Sequence, residues 1–140
     1  MYDFGFLYGP LAMDYRRIFL HILMAFKFEK LNVWHKALDL CVEVGELASS
    51  FPSFELYSLS NQIRRASDSV VLNIAEGSTG QTNPEFARFL RYSLRSAVEV
   101  VACLFIAKKK AYISENNFDK YYNEYEHLCK MISKLNESLK

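Results

Sequence analysis

Residues 31–51, LNVWHKALDLCVEVGELASSF, hold two apolar stripes at helical pitch. Leu31, Trp34, Leu38, Cys41, Gly45 and Ala48 recur at alternating spacings of three and four. Val33, Ala37, Leu40, Val44, Leu47 and Phe51 run beside them. Asn32, His35, Lys36, Asp39, Glu43 and Glu46 share the narrow polar arc that remains. At about 100° per residue the apolar arc covers more than half the circumference. A single neighbour cannot bury so wide an arc, so this helix touches partners on two sides. That is the requirement of a bundle.

Reading outward, Phe51-Pro52-Ser53 stops the helix, with Ser53 as the expected N-cap of the next and Glu55 in its first turn. Leu56, Leu59, Ile63, Ala66, Val70 and Ile74 form a second stripe, and Gly77 fits a left-handed C′ position closing it. Residues 77–83, GSTGQTN, read as a loop, and Asn83-Pro84-Glu85 supplies an N-cap, a proline at N1 and an acid in the first turn. Phe86, Leu90, Ser93, Ala97, Val100, Leu104, Ala107 and Ala111 mark a third helix, whose only polar side chain between Ala97 and Ala107 is Glu99. Ser114 and Glu115 open a fourth, with the stripe Phe118, Tyr121, Tyr125, Leu128, Ile132, Leu135 and Leu139. No stretch alternates with period two for long enough to make a strand. The pattern predicts an all-α, antiparallel up-down four-helix bundle over residues 27–140.

Residues 1–26 read as an irregular, poorly ordered N-terminal extension, broken by Gly5, Gly9 and Pro10, with Met24 as an alternative start. Its apolar run from Ile18 to Phe26 is too short for a bilayer, which needs about 20 residues. No small-residue cleavage site follows, so neither a membrane partner nor a signal peptide is expected. The 140 residues and 16.3 kDa fit one domain, and 51% hydrophobic with 24% charged residues excludes a disordered chain. Cys41, Cys103 and Cys129 are scattered, forming neither a disulfide framework nor a zinc site, which points to the reducing cytoplasm.

Catalytic patterns are missing: the sequence has no P-loop, GxGxxG, HExxH or GxSxG. Glu124-x-x-His127 has the spacing of a di-iron half-site, but no second copy accompanies it. No enzyme, metal or cofactor is expected. The arginines say more. Overall charge is +1, yet residues 61–110 carry eight basic against four acidic side chains, a net +4. The basic candidates for nucleic acid are Arg64, Arg65, Arg88, Arg91, Arg95, Lys108, Lys109 and Lys110. Arg88, Arg91 and Arg95 fall at i, i+3 and i+7, a row suited to a phosphate backbone, which arginine binds bidentately. Intrahelical pairs of Arg88 with Glu85, Arg95 with Glu99 and Arg64 with Asp68 would explain part of the cluster. The doubled apolar stripes of the first and third helices call for burial between copies. Two functions follow: an oligomeric module contacting RNA or DNA phosphates, or a structural homo-oligomer whose arginines only form ion pairs.

Several motifs then occur in order: Val33-Trp34-x-Lys36-Ala37, Phe51-Pro52-x-x-Glu55-x-Tyr57-x-Leu59, Gln62-Ile63-Arg64-Arg65-Ala66-x-x-Ser69-Val70 and Asn73-Ile74-Ala75-Glu76-Gly77, continuing through Phe86, Phe89-Leu90, Ser96 and Glu99. Over roughly residues 27–135 the chain resembles the bacterial four-helix-bundle proteins encoded by intervening sequences inside 23S rRNA genes. It departs from them at Arg95, Asp68 and Leu72, and before Met24. The resemblance implies a ring-shaped homopentamer with no established enzymatic activity. It makes Trp34, Gln62, Asn73, Glu76, Gly77, Ser96 and Glu99 structural motif residues. The chain is also similar to the accessory variability protein of diversity-generating retroelements, which implies a ribonucleoprotein or a reverse transcriptase as partner. From the residues themselves, Asn73 would fix helix register and Glu76 would accept from an arginine of a neighbouring helix or subunit.

Overall fold

The computed structural model describes residues 26–80 and 82–140. Four helices follow a short 3-10 turn at Lys27–Lys30: α1 (Asn32–Ser49), α2 (Leu59–Ser78), α3 (Asn83–Lys109) and α4 (Glu115–Ser138). No strand occurs among the described residues. Each helix packs on the next, and α4 returns to α1. Neighbours run antiparallel. Lys36 of α1 pairs with Glu124 of α4, whereas Glu43, two turns on, meets Lys120 four residues earlier. The four-helix bundle expected from the periodicity is the architecture found. The extension reading of residues 1–25 lies outside the described residues.

The second α1 stripe is the core one: Val33, Ala37, Leu40 and Val44 are buried, joined by Ala48. The companion stripe is half-covered at Leu31, Trp34 and Cys41, and Leu38 is exposed. Ile63, Val70 and Ile74 of α2 meet Leu90, Ala97, Val100 and Leu104 of α3, with Tyr125, Leu128 and Ile132 closing the core from α4. All ten are at most 1% exposed. Burying a large aliphatic side chain is worth about 1.5–3 kcal/mol, so this interior dominates stability.

Three helix ends differ from the sequence expectation. Ser53 does not cap α2; Ser53–Glu55 forms a 3-10 turn, and α2 starts at Leu59. The Glu55 carboxylate accepts from the Leu59 amide at 3.2 Å instead, which leaves Leu56 outside the stripe and exposed. The N-cap of α3 is Thr82 rather than Asn83, its hydroxyl accepting from the Glu85 amide at 3.3 Å. Gly77 is not a left-handed closing residue, because no glycine among the described residues has positive φ. It lies within α2, and α3 crosses so close that a Cβ there would sit 2.6 Å from Phe89 Cβ and 2.8 Å from Phe86 Cδ2. Ser114 does cap α4, accepting from the Asn117 amide at 3.1 Å.

Candidate nucleic-acid interface

The outward side of α3 carries one continuous stripe: Arg88, Arg91, Arg95, Val98, Ala102, Phe105 and Lys109, at spacings of three and four. Every one of these residues is exposed. The stripe therefore divides into a basic N-terminal half and a C-terminal half that is apolar from Val98 to Phe105 and ends on Lys109. Arg88 lies 3.6 Å from Glu85 and its guanidinium sits 5.5 Å over the Phe89 ring. Arg91 and Arg95 have no acidic partner among the described residues. Seven residues of helix separate Arg88 from Arg95, a row about 10 Å long. Beyond it Val98 is 63% exposed and Phe105 52%, with Ile106 on the flank. Tyr122 of α4 broadens this patch, its ring 6.1 Å from that of Phe105.

The other basic candidates separate into paired and open groups. Arg64 is half-buried and donates to Ser49 Oγ at 2.8 Å and the Gly45 carbonyl at 3.4 Å, tying α2 to α1. Lys108 pairs with Glu115 at 2.9 Å and covers the Phe118 ring. Lys110 pairs with Glu55 at 2.8 Å. Arg65 and Lys109 are exposed and have no acidic partner among the described residues. Two expected intrahelical pairs are absent because their acids bond elsewhere. Asp68 accepts from the Cys41 thiol at 3.1 Å rather than from Arg64. Glu99 accepts from Gln62 Nε2 across the α2–α3 seam rather than from Arg95.

That seam gathers most of the motif residues. Ser96 Oγ donates to Ser69 Oγ at 2.9 Å, and Asn73 Nδ2 donates to the Ser69 carbonyl and hydroxyl at 2.8 and 3.0 Å. Ser93 Oγ, fully buried, donates to the Val70 carbonyl at 3.0 Å. Asn73 thus bonds within its own helix, and the register bond across the seam belongs to Ser69 and Ser96. Trp34 packs its ring 4.6 Å from Phe28, with a buried indole nitrogen that has no partner among the described residues. Glu76 is exposed and meets no arginine of this chain among the described residues; with Thr79, Gly80, Glu85 and Phe89 it lines an open cavity of about 500 Å³. Two carboxylates there disfavour phosphate, and Glu85, the partner of Arg88, sets the border between this cavity and the start of the arginine row.

The cysteines are protonated packing residues. Burial pushes the Cys41 thiol up to about 11, helped by its bond to Asp68, and burial with the nearby Glu99 charge takes Cys103 to about 11. Protonated thiols are poor nucleophiles and metal ligands. Glu124 is engaged by Lys36, and His127 is exposed. No cluster of three or more metal-ligating side chains occurs among the described residues. No helix among them is long and apolar enough to cross a membrane.

Sequence reasoning placed Glu55 in a first helical turn and in a motif but missed its anchoring role. It is buried, yet it accepts from Lys110, Tyr112 Oη at 2.9 Å, Ser58 Oγ and the Leu59 amide. The available signal was a lone acid amid Phe51, Pro52, Phe54, Leu56 and Tyr57.

Against known families, the model described as 23S rRNA-intervening sequence protein matches residues 29–134, which takes in the arginine row and the whole seam. The chain belongs to that family. Among solved structures, a Bacteroides thetaiotaomicron protein of unknown function from the S23 ribosomal protein family, determined at 1.70 Å resolution, superposes with a TM-score of 0.70. Identity is 23%, and the match covers 74% of this chain and 97% of that one. At that identity it shows a shared fold. No curated protein matches the chain. Neither the family description nor the structural neighbour names a reaction.

Proposed function

We propose that this intervening-sequence protein is a non-enzymatic module that assembles with copies of itself and contacts RNA or DNA phosphates through Arg88, Arg91 and Arg95. The division of the α3 stripe carries this reading. Its apolar half, with Tyr122, is a surface that association would remove from water. Its basic half has two guanidinium groups without an acidic partner among the described residues, and arginine engages phosphate bidentately. Closed symmetry would repeat the row around the assembly and multiply a modest patch into an extended one. The homopentamer implied by the family resemblance is one such assembly.

The test is the salt dependence of binding by R88Q/R91Q/R95Q. Glutamine preserves helix propensity and much of the stem, so the fold survives. Affinity should fall across unrelated sequences, and the slope of log affinity against log salt should flatten by roughly 0.7–0.9 for each phosphate no longer engaged. Unchanged affinity and slope would remove the row from the function. A second reading is favoured by Glu76, an exposed carboxylate that could receive an arginine from another copy. Under it the same variant dissociates the assembly and leaves any nucleic-acid binding of the subunits unaltered.

A further inference from the structure

The α1–α2 connection holds its large side chains in an inverted arrangement. Phe54 is 76% exposed and Tyr57 90%, with Leu56 also exposed, while the charged Glu55 between them is buried. Burial of Glu55 is stabilised by the four hydrogen bonds described above, and these hold its carboxyl down at about 2, the Lys110 bond first among them. The carboxylate pins the loop to the α3–α4 connection at Lys110 and Tyr112, and Phe54 rests edge-on against the Tyr112 ring at 6.4 Å. Both exposed rings thus flank a fixed backbone point, and the contact of Phe54 with Tyr112 further lowers the entropy to be lost when a ligand meets it.

The acids nearest them are neutralised, Glu55 by Lys110 and Glu115 by Lys108. Residues 50–58 and 110–114, the connections at this end of the bundle, contain no acid except Glu55, which Lys110 neutralises. Lys109 ends α3 beside them, and Arg65 lies about two turns along α2 from Tyr57. Both are exposed without an acidic partner among the described residues. Rings open to solvent among cations suit a ligand with flat apolar faces and negative charge. Unpaired nucleic-acid bases offer those faces, whereas the bases of a duplex are already stacked on one another.

We propose that this end of the bundle is a stacking platform for single-stranded RNA or DNA, with Phe54 and Tyr57 against bases and Lys109 and Arg65 beside phosphates. It rests on the nucleic-acid reading above for its ligand class, and it names the single strand. Fourteen residues of α3, about 21 Å, separate Lys109 from Arg95, so the platform and the arginine row are distinct contacts.

The experiment titrates a fluorescent oligouridylate and an RNA duplex of equal length against wild-type, F54L/Y57L and R88Q/R91Q/R95Q proteins, following mass alongside binding. Leucine keeps apolar surface at two exposed positions and removes the aromatic faces. F54L/Y57L should bind the oligouridylate about 10- to 100-fold more weakly, with duplex binding and the salt slope unchanged. Oligouridylate affinity within about twofold of wild type overturns the platform and leaves the arginine row standing. Equal losses on both RNAs overturn it as well, since stacking is confined to unpaired bases. A fall in mass for F54L/Y57L assigns the loop to contacts between copies and overturns the proposal. A wild-type protein that binds duplex but no oligouridylate sinks the platform alone, and one that binds neither sinks both readings.

Discussion

Ala111 is the only non-glycine residue with positive φ among the described residues, at 60°. It follows the C-cap of α3, where the Tyr112 amide donates to the Ala107 carbonyl and the Ala111 amide to the Lys108 carbonyl, both at 2.9 Å. These are the two bonds of a Schellman closure, which favours glycine at that position because a Cβ crowds the following carbonyl. Ala111→Gly should therefore stabilise the protein by about 1 kcal/mol, raising Tm by several degrees in calorimetry. A lower Tm would contradict the assigned backbone. The sequence reading placed Ala111 on the α3 apolar stripe, since periodicity does not report the sign of φ.

Glu55 titrates with a definite sign. Its carboxyl is held at about 2, below its ordinary 4.5, so its stabilisation is fully present above the ordinary value. It is lost as pH falls through the window between the two. Glu55→Gln should lower Tm at neutral pH, and the deficit relative to wild type should shrink as pH approaches 2. A pH-independent deficit would mean that shape rather than charge sets the role of Glu55. Its partners Lys110 and Tyr112 lie 55 and 57 positions away, a distance no local pattern bridges.

At the scale of elements, all four helices were legible in the sequence because burial writes a 3.6-residue period into each. Their ends were less so, because a cap depends on which side chain reaches an amide. Gly77 makes the point. Glycine near a helix end suggested a left-handed closure, whereas the structure needs it for the approach of Phe86 and Phe89 of α3. Gly77→Ala should destabilise the protein by about 1–3 kcal/mol in denaturant titration, the ordinary range for overpacking a fixed contact. Gly45 is a built-in control: an added Cβ there meets nothing within 4 Å, so Gly45→Ala should be neutral or stabilising. Equal effects at the two positions would refute the close crossing of α2 and α3.

At the scale of the molecule, the exposed stripe of α3 was half legible. The arginine spacing could be read directly, and so could the surplus of apolar residues. Which cations remain open could not, because Arg64, Lys108 and Lys110 find partners on other elements, as do Asp68 and Glu99. The central claim is that one helix face serves two separable ends, assembly through Val98 and Phe105 and phosphate contact through the arginines. Sedimentation with a labelled RNA tests it most directly, comparing wild type, R88Q/R91Q/R95Q and V98E/F105E. Wild type should run several-fold heavier than 16.3 kDa and carry RNA, the arginine variant should keep that mass without RNA, and V98E/F105E should fall to the monomer. A monomeric wild type, or an arginine variant that dissociates, would contradict it.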